Sequence, residues 1–358
     1  RGKQNGFFTW VLSLVLISDK NKESGRSDRR TVFVEADWKR FRSSYRLIEN
    51  ISGFFGRSTV LRGLWLEIHC VSLVACIVWT VNTIIEQGEP SKLKSYLKHL
   101  QPVTMPDMPF SLLSPALGLL LVFRTNTAYD RYAAGRAHWG VIVDLCKDIV
   151  RQGCYKFQDL KEKVELGRRV IAFAYVVKRH CRGGSEEAEL KQMLTRLLGA
   201  AEAKRLMRSR HRPTQALQDI GILLDRQDYM DVVDKQDINR DIQQLAVNAG
   251  NCERIYKLPL PLQYTRFTGR WLAVWMGLLP LTLWREFKGS WIMIPGAALI
   301  SVFFFGIEEL GIQIEEPFSI LPLETFCASV KASVVEMLNR ESSEVKLPGI
   351  GPDAEEMP

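Results

Sequence analysis

The sequence has only five histidines, and its seven cysteines include no CxxC pair. That spacing excludes a zinc ribbon and a disulfide scaffold, and leaves single buried thiols as the expected role of the cysteines. There is no HExxH, no GxSxG and no glycine-rich phosphate loop, so the familiar marks of a metalloprotease, a serine hydrolase or a nucleotide site are missing. No enzyme, resident metal or cofactor is expected. The charge surplus is small for 358 residues, 48 basic against 40 acidic side chains, or +8. In the central region the two signs are mixed, as on a solvated helical face, so nucleic acid is not an expected partner. Mean hydropathy is -0.06, too low for a chain made almost wholly of membrane helices.

Apolar residues are nevertheless gathered into four stretches. Leu64 to Ile85 is the longest, interrupted by Glu67 and His69. Phe110 to Phe123 reads FSLLSPALGLLLVF, and Trp271 to Trp284, WLAVWMGLLPLTLW, follows Arg266 and Arg270. Trp291 to Ile307 is closed by Glu308 and Glu309. A helix needs about 20 apolar residues to cross a bilayer, so the first stretch qualifies alone. The other three run about 14 to 17 residues and fit either a span or a buried core helix. Trp65, Trp79, Trp271, Trp275, Trp284 and Trp291 lie at or near the segment ends, as interface anchors do, which favours four spans. Residues 1 to 62 carry 13 basic and 6 acidic side chains, the loop from Glu86 to Pro109 three of each, and residues 124 to 257 carry 25 and 18. The positive-inside rule then puts the N-terminus and the central region on one cytoplasm-like side, and four spans return the C-terminus there. Glu67 and His69, costly in a span, read as partners within the bundle or as a proton relay.

Arg1 and Lys3 precede Phe7 to Ile17, FFTWVLSLVLI, which has the form of a signal-peptide apolar core without a small-x-small site after it. The chain opens on arginine, so a targeting segment is expected to be missing. The stretch reads as an interfacial helix on the basic side or as a processing remnant. From Asn126 to Ile255 apolar positions recur at helical spacing, as in Trp139, Val143, Cys146, Ile149 and Val150, with Gly183 and Gly184 as a break. The expected division is a basic extension at 1–34, two membrane helices and a flanking helix at 35–125, and a helical soluble domain at 126–257. The second helix pair follows at 258–307, a C-terminal helical segment at 308–340, and a mobile acidic tail at 341–358. The fold class is an all-α membrane protein.

Three stretches go beyond composition. FRTNTAYDRYAAGRAHWG at Phe123 to Gly140 continues the second apolar segment, LPLPLQYTR at Leu258 to Arg266 opens the third, and GIEELGIQIEEPFSILPL at Gly306 to Leu323 follows the fourth. These residues resemble the bestrophin family of anion channels. Its FRxNxAYDRxxxGRxxW pattern is matched by Phe123, Arg124, Asn126, Ala128, Tyr129, Asp130, Arg131, Gly135, Arg136 and Trp139. Its PLPxxYT element is matched by Pro259 to Thr265, including Pro261 and Tyr264, and its IExPF element by Ile314, Glu315, Pro317 and Phe318. The likeness covers about residues 35 to 335. The basic N-terminal extension resembles that of the thylakoid chloride channels of plants and the bestrophin-like proteins of algal chloroplasts.

The resemblance implies four membrane helices per subunit and a homopentameric ring in a lipid bilayer, with the second helix lining one axial pore. It implies a passive, voltage-gated conductance for chloride, or bicarbonate, in a thylakoid membrane with both termini on the stromal side. A membrane-anchored scaffold without transport is the alternative from another class. Pro115, Leu119 and Phe123, at i, i+4 and i+8, share one helical face and match the family's hydrophobic neck, although an apolar face of this kind also suits helix packing. Arg124 would supply a positive mouth, or else snorkel or pair with an acid such as Asp130. Asn126, Tyr129, Asp130, Arg131, Arg136, Pro261, Tyr264, Glu315, Pro317 and Phe318 are expected to be structural. A second constriction of the family falls near Val233. After Phe318 comes Ser-Ile-Leu-Pro, without the aspartate run of animal bestrophins, so calcium activation is not expected.

Overall fold

The computed structural model describes residues 63–87, 101–182 and 187–341, with residues 32, 39 and 42 nearer the N-terminus. The Phe7 to Ile17 stretch, the Gly183–Gly184 break and the acidic tail beyond Glu341 lie outside the described residues. Among the described residues there are eleven helices and no strand: α1 (Trp65–Gln87), α2 (Asp107–Lys156), α3 (Leu160–Arg182), α4 (Glu187–Leu198), α5 (Ala200–Arg208), α6 (Arg212–Asp225), α7 (Val232–Lys257), α8 (Leu262–Glu286), α9 (Met293–Glu315), α10 (Pro317–Ile320) and α11 (Leu323–Glu341).

These helices form two compact units. The first holds α1, α2 as far as Tyr129, α8 and α9. Its core is Leu64, Val71, Ala75, Phe110, Leu117, Leu121, Leu272, Met276, Met293 and Ala297, with α1 packed on α8 and α9. Asn82, buried on α1, is satisfied by the backbone of Val103: its Nδ2 donates to Val103 O at 3.1 Å, and Val103 N–H donates to its Oδ1 at 2.9 Å. A polar side chain at that depth is tolerable because both of its ends are paired. By length and composition α1, α2 and α9 can each cross a membrane. α8 is less apolar: Arg266 and Arg270 occupy its first turns and Pro280 interrupts it. Leu73, Ile77 and Val81 of α1 and Leu299 and Phe303 of α9 are exposed on this unit, the pattern of helices solvated by lipid.

The second unit holds α2 from Asp130, α3 to α7, α10 and α11. Trp139, Ile142, Cys146, Ile149, Val170, Phe173, Val177, Ile220, Leu245, Cys252, Phe318, Cys327 and Val334 form its core. α3 is central, touching α4, α6, α7, α10 and α11. Local capping starts the later helices: the His211 ring accepts from Thr214 N–H at α6, and the Asp231 carboxylate accepts from Val232 N–H at α7. One boundary differs from expectation. Glu308 and Glu309 do not end the fourth apolar helix, because both are held inside the first unit and α9 continues to Glu315.

Candidate functional site

The site is built on α2. Its inward face repeats every three, four or seven residues through Phe110, Leu117, Leu121, Arg124 and Ala128, all buried. The opposite face carries Leu112, Pro115, Leu119, Phe123 and Asn126, all exposed. Leu119 and Phe123 are each 54 % exposed, one turn apart on that face. Pro115 removes one backbone donor from the helix. The result is a one-sided helix whose outward stripe is apolar for about three turns and polar from Asn126 onward.

Arg124 follows Phe123 in sequence, yet a single residue turns it by about 100° about the helix axis, onto the buried face. It is 1 % exposed, and its Nη1 donates to Glu308 Oε1 at 3.0 Å. The acid that pairs with it is Glu308 of α9, while Asp130 is exposed. Its Nε and Nη2 are buried without hydrogen-bond partners. Gly269 of α8 makes room for the pair: a Cβ there would lie 3.0 Å from Glu308 Oε1. Arg124, Glu308 and Gly269 thus pin α2, α9 and α8 together behind the exposed stripe. Of the roles open to Arg124, the structure shows pairing with an acid of the same subunit, Glu308 and not Asp130, and its field is correspondingly reduced.

The motif residues cluster around helix ends. Tyr264 OH donates to Leu120 O at 3.3 Å, bracing the first turn of α8 against α2, and Pro261 is the N-cap of that helix. In the second unit Arg131 donates from Nη1 to Leu258 O at 2.8 Å and from Nη2 to Ile255 O at 2.5 Å, satisfying carbonyls at the C-terminus of α7. Gly135 is required by close approach: a Cβ there would lie 3.1 Å from Pro317 Cγ. Pro317 and Phe318 are buried, whereas Tyr129, Asp130, Arg136 and Val233 are exposed and Glu315 is partly buried at the end of α9. Arg182 donates to the carbonyls of Phe318 and Leu321, both at 3.1 Å, and grips the Glu324 carboxylate, with Nη2–Oε2 at 2.8 Å. Burial alone would raise the Glu324 carboxyl, but the Arg182 hydrogen bonds and the charges of Arg182 and Lys178 hold it below the usual carboxylate range.

This arrangement has counterparts among known proteins. A family profile described as Bacterial/Fungal Bestrophin protein matches residues 37–336. The chain belongs to the bestrophin family. Among its bestrophin relatives, the chloroplastic voltage-dependent chloride channel 1 of Arabidopsis thaliana is 30 % identical over 334 residues, covering 90 % of this chain and 77 % of that one. A voltage-dependent anion channel-forming protein of Nostoc sp. is 32 % identical over 293 residues, 78 % of this chain and 89 % of its own. The crystal structure of a bacterial bestrophin homolog from Klebsiella pneumoniae superposes with a TM-score of 0.67 at 20 % identity, covering 77 % of this chain and 98 % of the other, and so shares the fold. The bestrophin match takes in the exposed stripe of α2, Arg124 and all three motif stretches. Glu308, Gly269 and Arg182 were not singled out from sequence. For Glu308 a signal was present: an acid at the edge of an apolar helix needs a cation, and Arg124 stands at the edge of another.

Proposed function

We propose that this bestrophin family chain is the subunit of a homopentameric channel that passes chloride, bicarbonate or another small monovalent anion passively across a membrane. The observation that carries the reading is the exposed apolar stripe on α2, a helix otherwise packed on its inward side. The channel-forming relatives agree with it. Five copies of Leu119 and Phe123 around one axis would stack two apolar rings, with Pro115 at their far end contributing little side chain. Such a neck gates by dewetting, and passes an anion that sheds water cheaply. The edges of the Phe123 rings, which carry partial positive charge, favour an anion there over a cation. Arg124 sets the angle of the neck helix through Glu308 and adds a weaker positive field than five unpaired guanidinium groups would.

Val233, exposed beside the start of α7, is the candidate for a second narrow point. A chloroplast thylakoid membrane with both termini on the stromal side fits the plant relatives and the basic surplus of the N-terminal and central regions. The test is a planar-bilayer recording of purified protein, with reversal potentials measured in chloride, bicarbonate and cation gradients. Currents reversing near the anion equilibrium potential are expected. A reversal near the potassium potential in a KCl gradient, or no current at all, would overturn the reading.

A further inference from the structure

We propose that His180, His211 and Glu253 form a binding site for a divalent transition-metal ion of the zinc type, one per subunit, in the second unit. The three residues come from the end of α3, the N-cap of α6 and the last turns of α7. One donor atom from each lies within 4.8 Å of the others. His211 Nε2 is 2.9 Å from Glu253 Oε2, and His180 Nε2 is 3.4 Å from Glu253 Oε1. The two rings stand edge to face with centroids 5.1 Å apart.

Three features distinguish this cluster from an ordinary ion pair. His180 Nε2 is buried and completes no hydrogen bond, so an imidazole nitrogen points at the carboxylate without being satisfied by it. His180 and Glu253 are both largely withdrawn from solvent, with side chains 24 % and 19 % exposed, so the donors face one another and not bulk water. The outer nitrogen of His211 has a partner suited to a bound ring: its Nδ1 lies 2.7 Å from Thr214 Oγ1, and with a metal on Nε2 that nitrogen carries the proton and donates to the hydroxyl, giving up the 3.3 Å contact from Thr214 N–H. A hydrogen-bonded far nitrogen is how proteins fix a metal-bound imidazole.

The donor set selects the ion. Two imidazoles and one carboxylate suit zinc and its neighbours, whereas calcium and magnesium take all-oxygen shells. Three protein ligands leave a fourth position for water or another small donor. Glu253 offers both carboxylate oxygens to the cluster, Oε2 toward His211 and Oε1 toward His180. Lys257 Nζ is the competitor, paired to Glu253 Oε1 from a side chain 57 % exposed that can swing into solvent.

The test uses the full chain in detergent, stripped with chelator and titrated with Zn²⁺ by calorimetry and with Co²⁺ by visible absorption. Saturation at one equivalent per subunit, the intense d–d bands of a four-coordinate cobalt site and a rise in Tm with Zn²⁺ are expected. His180→Ala and Glu253→Gln should each weaken binding by at least about tenfold, the scale on which metal sites respond to lost support. His211→Asn should do the same while retaining a residue able to cap α6. Lys257→Met removes the competitor without touching a ligand, and should tighten binding even if a ligand variant fails to fold. No saturable binding, affinity unchanged in both histidine variants, or affinity unmoved in Lys257→Met would each overturn the site.

Discussion

Leu119→Ala and Phe123→Ala separate three fates for the exposed stripe on α2. In a closed core, truncating either side chain costs about 2–5 kcal/mol, of which a large part is the cavity left behind. Here each is about half exposed within the subunit, so no enclosed void forms there. The loss of intrasubunit contact is then of the order of 1 kcal/mol, half of the burial value of a large apolar side chain. If lipid covers the stripe, even that shrinks, since a methyl group is solvated as well by lipid as by protein. If a neighbouring subunit packs on it, the full core cost returns as lower thermal stability of the assembly. If the stripe lines a pore, stability stays nearly unchanged and the current rises.

The rise follows from the barrier. A dewetted ring opposes ions through its radius and apolarity, so trimming five copies at once widens and wets it. Each 1.4 kcal/mol or so removed from the limiting barrier is tenfold in rate, which makes a severalfold increase in conductance a modest expectation. Rectification or gating should weaken, and anion preference should persist because the ring has no fixed charge. The assay is single-channel recording of both variants beside their melting curves in the same detergent. Unchanged currents with a clearly lowered Tm would refute the neck assignment and make Leu119 and Phe123 packing residues.

The Arg124–Glu308 pair should behave as a unit: Arg124→Met or Glu308→Gln alone costs about 3–5 kcal/mol by stranding a buried polar group, and the double variant recovers much of it. Thermal melts of the four proteins check this, and additive losses would sink it. Gly135→Ala forces a methyl group to 3.1 Å from the buried Pro317 ring and should cost about 1–3 kcal/mol, read as a drop in Tm. The Arg182–Glu324 clasp has a defined pH window: because the folded carboxyl sits below its ordinary 4.5, its stabilisation is complete above about that pH and is lost as pH falls through the lowered value. Arg182→Met should therefore flatten the acid limb of stability against pH, and an unchanged limb would place the effect elsewhere. Since Ser319 to Pro322 supply no acidic run, a strong calcium chelator on the basic side should leave currents intact.

Legibility in the sequence follows the range of the interactions. Helical period and tryptophan placement are local, and the long helices from Trp65 and from Asp107 can be read from them. The C-terminal end of α9 cannot, because Glu308 looks like a membrane edge until Arg124 is brought to it by the fold. Arg182 is equally opaque. Nothing near it in sequence marks it as the residue that gathers the carbonyls of Phe318 and Leu321. The His180, His211 and Glu253 cluster has no spacing signature, since its members sit on three helices and meet only through packing.

Phe123 and Arg124 show what adjacency in sequence does and does not mean for a pore. Read along the chain, an apolar ring followed at once by a positive one looks like a neck with a charged mouth. On a helix, consecutive residues diverge by about 100°, so both can line one axis only if the helix is rotated to split the difference. α2 is not: Phe123 is outward and Arg124 is fully inward, closed off by Glu308 and by a glycine that admits it. The positive charge therefore acts on the exposed face mainly by fixing where that face points. Anion preference in such a neck would arise from dehydration cost and the ring edges of Phe123 more than from a free cation, and charge reversal at position 124 would disturb the helix clasp before it disturbed selectivity.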